Sequence, residues 1–366
     1  MNGTARAFYV TCLTDATVHP HSALVHANGI PLADFEGDEL RRFDDFIQLD
    51  PYVFYAEGED VWIIEGKSPI GPRSPYHSSG PTSDLIAHGK DSFEVEEGFG
   101  ALLGPRSPHF GHWLWEYLPK YLVAVACGAL PRVPILMNPA MPPQLWESLR
   151  LLIPRGVDVI ELPFAPTHVR RLWYAPALMH EPFFENVNER YAGPDHRCFP
   201  PERFKPALEA MAEAAALVSV PAIKNERIFL ARRSTQRRLE NYAEIESVAA
   251  ARNFTVVHPE TLSFSEQIAI AHNARLLAGP EGSQMYLAFF ARPRSKLCIL
   301  NHPFTHDLLN FCYLVEQNGI DVTLLTGPAT RLNNEPGYPN FGLPQYADYA
   351  IDPAAFARFL DAWVAC

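Results

Sequence analysis

Two clusters in this chain carry residue types at spacings that suit chemistry. In FGHWLWEYLPKY, residues 110–121, His112 and Glu116 lie four apart, so on a helix they share one face within hydrogen-bond reach. An imidazole held by a carboxylate is suited to taking a proton near neutral pH, and Gly111 lets a ligand approach the helix start closely. Either group could be the base: Glu116 could accept directly while His112 orients a substrate, or His112 could accept while Glu116 supports the imidazolium. The bland alternative is a core histidine satisfied by its neighbour on a helix packed through Trp113, Leu114 and Tyr117. His109 extends the pattern to H-x-x-H-x-x-x-E, a ligand set that would suit zinc and a hydrolase. The H-E-x-x-H order of metalloproteases is absent, however, and the chain has no D-x-D pair to hold a metal-bound nucleotide diphosphate.

The second cluster is LARRSTQRRLEN, where Arg232, Arg233, Arg237 and Arg238 follow a strand-like RIFLAR. At the carboxyl end of a parallel strand such guanidinium groups can fork onto phosphate oxygens. A solvated basic loop is the competing reading. Further on, LLAGPEGSQMYLAFF runs a strand into Gly279, Pro280, Glu281, Gly282 and Ser283 and then a helix. That start offers backbone N–H groups and a positive dipole end to an anion, although neither G-x-G-x-x-G nor the Walker lysine is present.

The elements that must position these residues are strands alternating with helices. From about Gly98 the order is strand FGALLG, helix from His109 to Cys127, strand VPILMN, helix PPQLWESLRLLI and strand VDVIEL, the βαβ pattern of a parallel sheet. Before Gly98 the chain reads as irregular, with short strand-like runs such as AFYVTCL and VWIIEG among Pro-rich loops. After the loop HEPFFENVNERYAGPDHRCFPPE and an Ala-rich helix over 206–218, a boundary is expected near residue 220. A second alternating block follows: RIFLAR, YAEIESVAAAR, TVVHP, SEQIAIAHNA, RLLAGP, SQMYLAFF, KLCIL and DVTLL. Ser263 and Glu266 predict a capping box at the start of SEQIAIAHNA. The tail DPAAFARFLDAW has Asp352 as N-cap, Pro353 at the first helical position and Phe356, Phe359, Leu360 and Trp363 along one face. Periodicity does not say which surface that face covers; a return onto the N-terminal domain is one expectation. The reading is an α/β protein of two Rossmann-like domains, 1–220 and 221–330, with a loop and helix over 331–366.

Composition narrows the classes. With 366 residues, 48% hydrophobic and 20% charged, the chain suits a folded protein of about two domains. A net charge of −12 argues against a general nucleic-acid partner, which needs a basic face. The six cysteines form no C-x-x-C pair, so a reducing compartment is expected. With no basic region ahead of its short apolar start and no run long enough for a membrane span, the chain is expected to be cytoplasmic and without an integral membrane segment.

Three stretches together resemble a known family: FGHWLWEYLPKY, RIFLARRSTQRRLENYAEI and FTVVHPETLSFSEQIAIAHNARLLAGPEGSQMYLAFF are similar to segments of the family 61 glycosyltransferases. The likeness covers roughly Gly98 to Leu300. It implies a GT-B fold of two Rossmann-like domains facing a cleft, with an N-terminal acceptor side and a C-terminal donor side. It also implies inverting transfer from a nucleotide sugar, UDP-linked by expectation, to a glycan or polysaccharide such as a capsule, with no cofactor and no metal. By resemblance Arg232, Arg237 and Asn241 fall on the family's Arg and Asn positions and Gly282 and Ser283 on its nucleotide-sugar turn. Glu281 and Gln284 belong to the same expected donor site, and Glu116 and His112 to the expected catalytic one. Three positions depart from the family: Glu281 replaces a His, Leu287 an Asn and Tyr242 a Glu. The departures at Glu281 and Leu287 keep a non-catalytic nucleotide-sugar or glycan-binding protein open beside the zinc hydrolase.

Overall fold

The computed structural model describes residues 10–19, 24–27, 42–43, 46–48, 54–57, 60–63, 93–104, 107–163, 167–175, 178, 201–218, 225–233, 237–303, 308–331 and 347–365. The loop GKSPIGPRSPYHSSGPTSD, residues 180–200 of the loop that starts HEPFF, Cys198 and Cys366 lie outside the described residues. The chain divides into two compact units, Met1–Ala207 and Leu208–Cys366. The division falls inside the Ala-rich helix Lys205–Leu217, ahead of residue 220.

The first unit is built on an eight-stranded sheet. Its strands are β1 (Thr11–His19), β2 (Leu24–Ala27), β3 (Arg42–Phe43), β4 (Phe46–Gln48), β7 (Phe93–Phe99), β8 (Ile135–Met137), β9 (Val159–Glu161) and β10 (Thr167–Tyr174). A separate hairpin pairs β5 (Phe54–Glu57) with β6 (Asp60–Ile63). The sheet order is β3-β4-β2-β1-β10-β7-β8-β9. Strands β7 to β10 are parallel where they pair, whereas β1 runs antiparallel to β10 along almost its full length. The stretch expected to be irregular therefore supplies the antiparallel half of this sheet. β10 is hard to see in THVRRLWY because Arg170 and Arg171 interrupt its apolar residues. Both are exposed and pair across to Glu96 and Glu97 of β7 at 3.5 and 3.0 Å.

Between β7 and β8 runs α1, residues 110–126, and between β8 and β9 runs α2 (Pro143–Leu152). α1 is helical throughout, with Pro119 inside its final α-helical stretch Leu118–Ala126, and it is π-helical over Trp113–Tyr117. Trp113, Leu114, Tyr117, Leu118 and Val123 are fully buried, each contributing about 1.5–3 kcal/mol. The Trp113 indole donates to the Ser148 hydroxyl of α2 at 2.7 Å, so its one polar atom is satisfied.

The Ala-rich helix is α3 (Lys205–Leu217). The second unit then alternates β11 (Arg227–Leu230), α4 (Tyr242–Ala250), β12 (Thr255–Val257), α5 (Phe264–Asn273), β13 (Leu276–Pro280), β14 (Lys296–Asn301), α6 (Leu308–Gln317) and β15 (Asp321–Thr326). SQMYLAFF, expected as a helix between β13 and β14, is a 3₁₀ helix over Ser283–Phe290. All five strands are parallel, in the order β12-β11-β13-β14-β15. The sheet grows from β11 to one side and then, at β13, to the other. That reversal is a topological switch point, and ligands of such sheets bind outside the carboxyl ends of the strands there.

The expected capping box is formed: the Glu266 N–H donates to the Ser263 hydroxyl, and the Glu266 carboxylate accepts from the Ser263 N–H at 2.9 Å. A short antiparallel pair, β16 (Ala329–Arg331) with β17 (Asp348–Tyr349), precedes the terminal helix α7 (Pro353–Ala365). Phe356, Leu360 and Trp363 of α7 enter one core cluster with Phe229, Ile245 and Phe254. The Arg252 guanidinium ties the helix down through Asp361 at 2.8 and 2.9 Å. The apolar face thus packs into the core of α7's own unit. Among the described residues no helix is long and apolar enough to cross a membrane, and Cys12, Cys127, Cys298 and Cys312 are free thiols.

Candidate functional site

In the first unit the turn from β7 into α1 is fixed by a buried polar knot. The Asn138 amide, just beyond β8, donates to the Gly104 carbonyl at 2.6 Å and to the Ser107 hydroxyl at 2.8 Å, and Ser107 donates on to Gly104. α1 therefore starts at the carboxyl ends of β7 and β8. From residue 111 to residue 124 every side of this helix is buried except at His112 and Glu116. Their side chains keep 26% and 19% exposure, and Nδ1 of His112 lies 2.7 Å from Oε1 of Glu116. A helix apolar all round is fixed in place by its packing, so the pair is held rigidly in its one opening. The π-helical stretch begins directly after His112 and contains Glu116; such insertions occur often at functional sites.

With Nδ1 bonded to the carboxylate, the imidazole has one defined orientation, as a proton acceptor needs. His109 precedes the helix in extended backbone, and its ring meets that of His112 edge-on at 5.0 Å. Among the described residues no group of three or more His, Cys, Asp or Glu is placed to hold a metal ion. The zinc set His109, His112 and Glu116 is corrected accordingly: Nδ1 of His112 faces the carboxylate that would be its fellow ligand. Lys120, one turn beyond Glu116, is 1% exposed and donates to the Ala101 carbonyl at 3.3 Å above the Tyr117 ring.

In the second unit the arginines lie at the switch point. Arg232, Arg233, Arg237 and Arg238 line an open cavity of about 380 Å³ with Leu239, Tyr242 and Pro280. Arg232 follows β11; its N–H donates to the Tyr242 hydroxyl at 3.2 Å, and its Nη1 donates to the Glu281 carbonyl at 2.7 Å. Burial first, and then the neighbouring Arg237 cation, pull the Arg232 guanidinium below its ordinary value, while Glu281 and Tyr349 oppose the fall. Arg237 takes φ 51°, a region that side-chain-bearing residues rarely adopt. Its Nη1 donates to Oε1 of Glu281 at 2.7 Å. Arg238 is held by Asp348, which accepts from its backbone N–H at 2.8 Å and from its guanidinium at 2.7 and 3.0 Å.

The β13 turn is shaped by two glycines. A Cβ on Gly279 would sit 2.4 Å from the Leu230 carbonyl, and one on Gly282 would sit 2.5 Å from Cδ and Nε of Arg232. Gly282 is thus the surface on which the Arg232 side chain lies. Beyond it the N–H groups of Ser283 and Gln284 open the 3₁₀ helix and, as at any helix start, have no partner within it. The Gln284 amide folds back onto the Pro280 carbonyl at 2.5 Å, bracing the turn.

The structure brings Arg232, Arg237, Glu281 and Gly282 together, with Ser283 and Gln284 on the same turn. Asn241 bonds the C-terminal segment. Its amide donates to the Ile351 carbonyl at 2.7 Å and accepts from the Ile351 N–H at 3.2 Å, so it clamps backbone. Tyr242, Asp348 and Tyr349 support the arginine loop as well. Tyr242 had a signal, since it follows the Arg-rich segment directly. Asp348 is 110 positions from its partner, a separation no local pattern reveals. The Tyr242 and Tyr349 phenols are both pushed well up, mainly by burial.

Residues 110–298, more than half of the chain, match the family model described as Glycosyltransferase 61. The match starts at Phe110, the first residue of α1, and ends at Cys298 in β14, so it spans both clusters. No curated protein matches the chain.

Proposed function

The chain belongs to glycosyltransferase family 61, and from that premise we propose that it is an inverting, metal-independent transferase moving a sugar from a nucleoside diphosphate to a glycan or polysaccharide. In this reading the two units are the acceptor and donor halves of a GT-B enzyme, and the donor is UDP-linked. The observation that carries it is the convergence of Arg232, Arg237 and the Gly282–Ser283 turn at the switch point of a parallel sheet. Guanidinium groups fork onto phosphate oxygens, and preorganised positive charge stabilises a diphosphate as it leaves. These residues supply the neutralising charge that a bound cation supplies in other transferases.

His112 and Glu116 act as one proton-accepting unit. The acceptor hydroxyl gives its proton to the pair as its oxygen forms a bond to the anomeric carbon. The bond from that carbon to the diphosphate breaks on the opposite face, and the electron pair leaves with the phosphate oxygen. The 2.7 Å contact within the pair suits either member as the accepting group, with the other holding it in place.

The test is a thermal-shift panel of UDP, GDP, CMP and their common sugars, each with Mn²⁺ and with chelator, since a ligand stabilises by mass action. A shift with one nucleoside diphosphate, unchanged by chelator and lost in Arg237→Ala, is the expected result. A shift that appears only with metal would overturn the metal-independent reading. Tight binding without turnover of any sugar nucleotide would leave a binding protein instead.

A further inference from the structure

The turn that closes the arginine site carries a carboxylate where an anion receptor is best served by donors. Glu281 is 8% exposed. Its Oε1 pairs with Arg237 at 2.7 Å, its carbonyl accepts from Arg232 at 2.7 Å, and its Oε2 is buried with no hydrogen-bond partner. Leaving one oxygen of a buried carboxylate unsatisfied is unfavourable. The arginine it holds has a left-handed backbone, φ 51°, itself a strained state for a side-chain-bearing residue. Two costly features therefore meet in one ion pair whose arginine lines the cavity. Asp348 does not share this character, because both its oxygens accept hydrogen bonds from Arg238.

We propose that Glu281 is a specificity-determining residue, a resident counter-ion that an incoming diphosphate must displace from Arg237. The inference rests on the reading of this site as a diphosphate receptor. Small phosphates bring only charge, and against a guanidinium that is already paired they gain little. A nucleoside diphosphate brings base and ribose contacts as well, so it can displace the carboxylate. The site thereby discriminates against free phosphate and pyrophosphate in favour of a nucleotide, and the released carboxylate is free to accept from a ligand hydroxyl.

The experiment is calorimetric titration of wild-type protein, Glu281→Gln and Glu281→Asp with inorganic pyrophosphate and with UDP. Glu281→Gln removes the charge, and Glu281→Asp draws it back by one methylene with the least disturbance of folding. Both are expected to bind pyrophosphate more tightly, Glu281→Gln by about tenfold or more, which is the effect of one favourable charge contact. The preference for UDP over pyrophosphate should narrow in parallel. Unchanged or weaker pyrophosphate binding in folded Glu281→Asp overturns the proposal, whether or not Glu281→Gln folds. If UDP binds the wild type but neither variant alters either ligand, the donor-site reading stands and the counter-ion role falls. If no nucleotide binds while pyrophosphate binding still rises in the variants, the transferase reading falls and the counter-ion role stands. Binding of neither ligand to any of the three proteins overturns both.

Discussion

The two clusters hold their polar groups in opposite ways. His112 and Glu116 sit on a single helix whose other faces are buried from residue 111 to residue 124, so apolar packing fixes them, and they bond each other at 2.7 Å. The arginine site is assembled from a strand end, a loop and a turn, and charge fixes it: Arg237 by Glu281, Arg238 by Asp348. A packed helix suits a group that must keep one geometry through a proton transfer. Ion-paired side chains suit a site whose charges must be shared with an arriving ligand, because their partners can be exchanged. On the proposed reading the first cluster takes the chemical step and the second takes binding.

The largest expected effect breaks the chemistry without touching binding. Glu116→Gln keeps the size of the side chain but removes its charge, and should lower kcat by about 10²–10⁴-fold, the usual worth of a positioned acid–base group. The UDP thermal shift should stay at its wild-type size. Steady-state transfer and thermal shift measured on one preparation check this; a lost shift with the rate per bound nucleotide preserved would reverse the assignment. Arg237→Ala should do the converse. It removes a charge contact to the diphosphate and strands the Glu281 carboxylate, so UDP affinity should fall by about 10²-fold, within the range for truncating one member of a buried charge pair. Titration calorimetry reads that loss, and an affinity within a factor of about two of wild type would exclude Arg237 from the receptor.

A smaller change sharpens the role of Arg232. In Gly282→Ala the new Cβ would meet Cδ and Nε of Arg232 at 2.5 Å and Oε1 of Gln284 at 2.6 Å. The arginine must move off the turn, and UDP affinity is expected to drop by about tenfold, a loss of about 1.4 kcal/mol. Because crowding falls on a side chain and not on backbone, the fold should persist, as circular dichroism would show. A variant with full affinity would mean that Arg232 binds the ligand from elsewhere or not at all.

Local signals were legible and distant pairings were not. The four-residue spacing of His112 and Glu116 led directly to a 2.7 Å contact, and Ser263 with Glu266 led to a formed capping box. Strand and helix alternation from β11 to β14 was visible because short apolar runs, buried throughout in β13 and nearly so in β14, are separated by longer helical segments. What placed the arginine site, by contrast, is the strand order of the second sheet, which depends on which neighbours pair and not on any one strand's sequence. Glu281 is 44 positions from Arg237, and Asp348 is 110 from Arg238. Asn241 shows the same limit: its amide bonds the backbone of Ile351, 110 positions away. The π-helical stretch of α1 and the 3₁₀ form of SQMYLAFF also escaped, since the apolar spacing of a short helix does not distinguish the helical types.

The smallest expected effect tests whether the comparison concerns the sites or merely the stability of the unit that holds them. Ser263 caps α5, which holds no residue of either cluster, and its hydroxyl accepts from the Glu266 N–H at 3.3 Å while its own N–H donates to the Glu266 carboxylate at 2.9 Å. Ser263→Ala removes one half of that reciprocal cap and should destabilise the protein by about 1 kcal/mol. Thermal denaturation would register this as a midpoint lowered by a few degrees. UDP affinity and kcat, measured well below the midpoint, should not change, because the strand ends and the β13 turn keep their own hydrogen bonds. If this variant instead weakened UDP binding as much as Gly282→Ala does, the loss in Gly282→Ala would reflect general loosening of the second unit, and the steric role assigned to Gly282 beneath Arg232 would have to be given up.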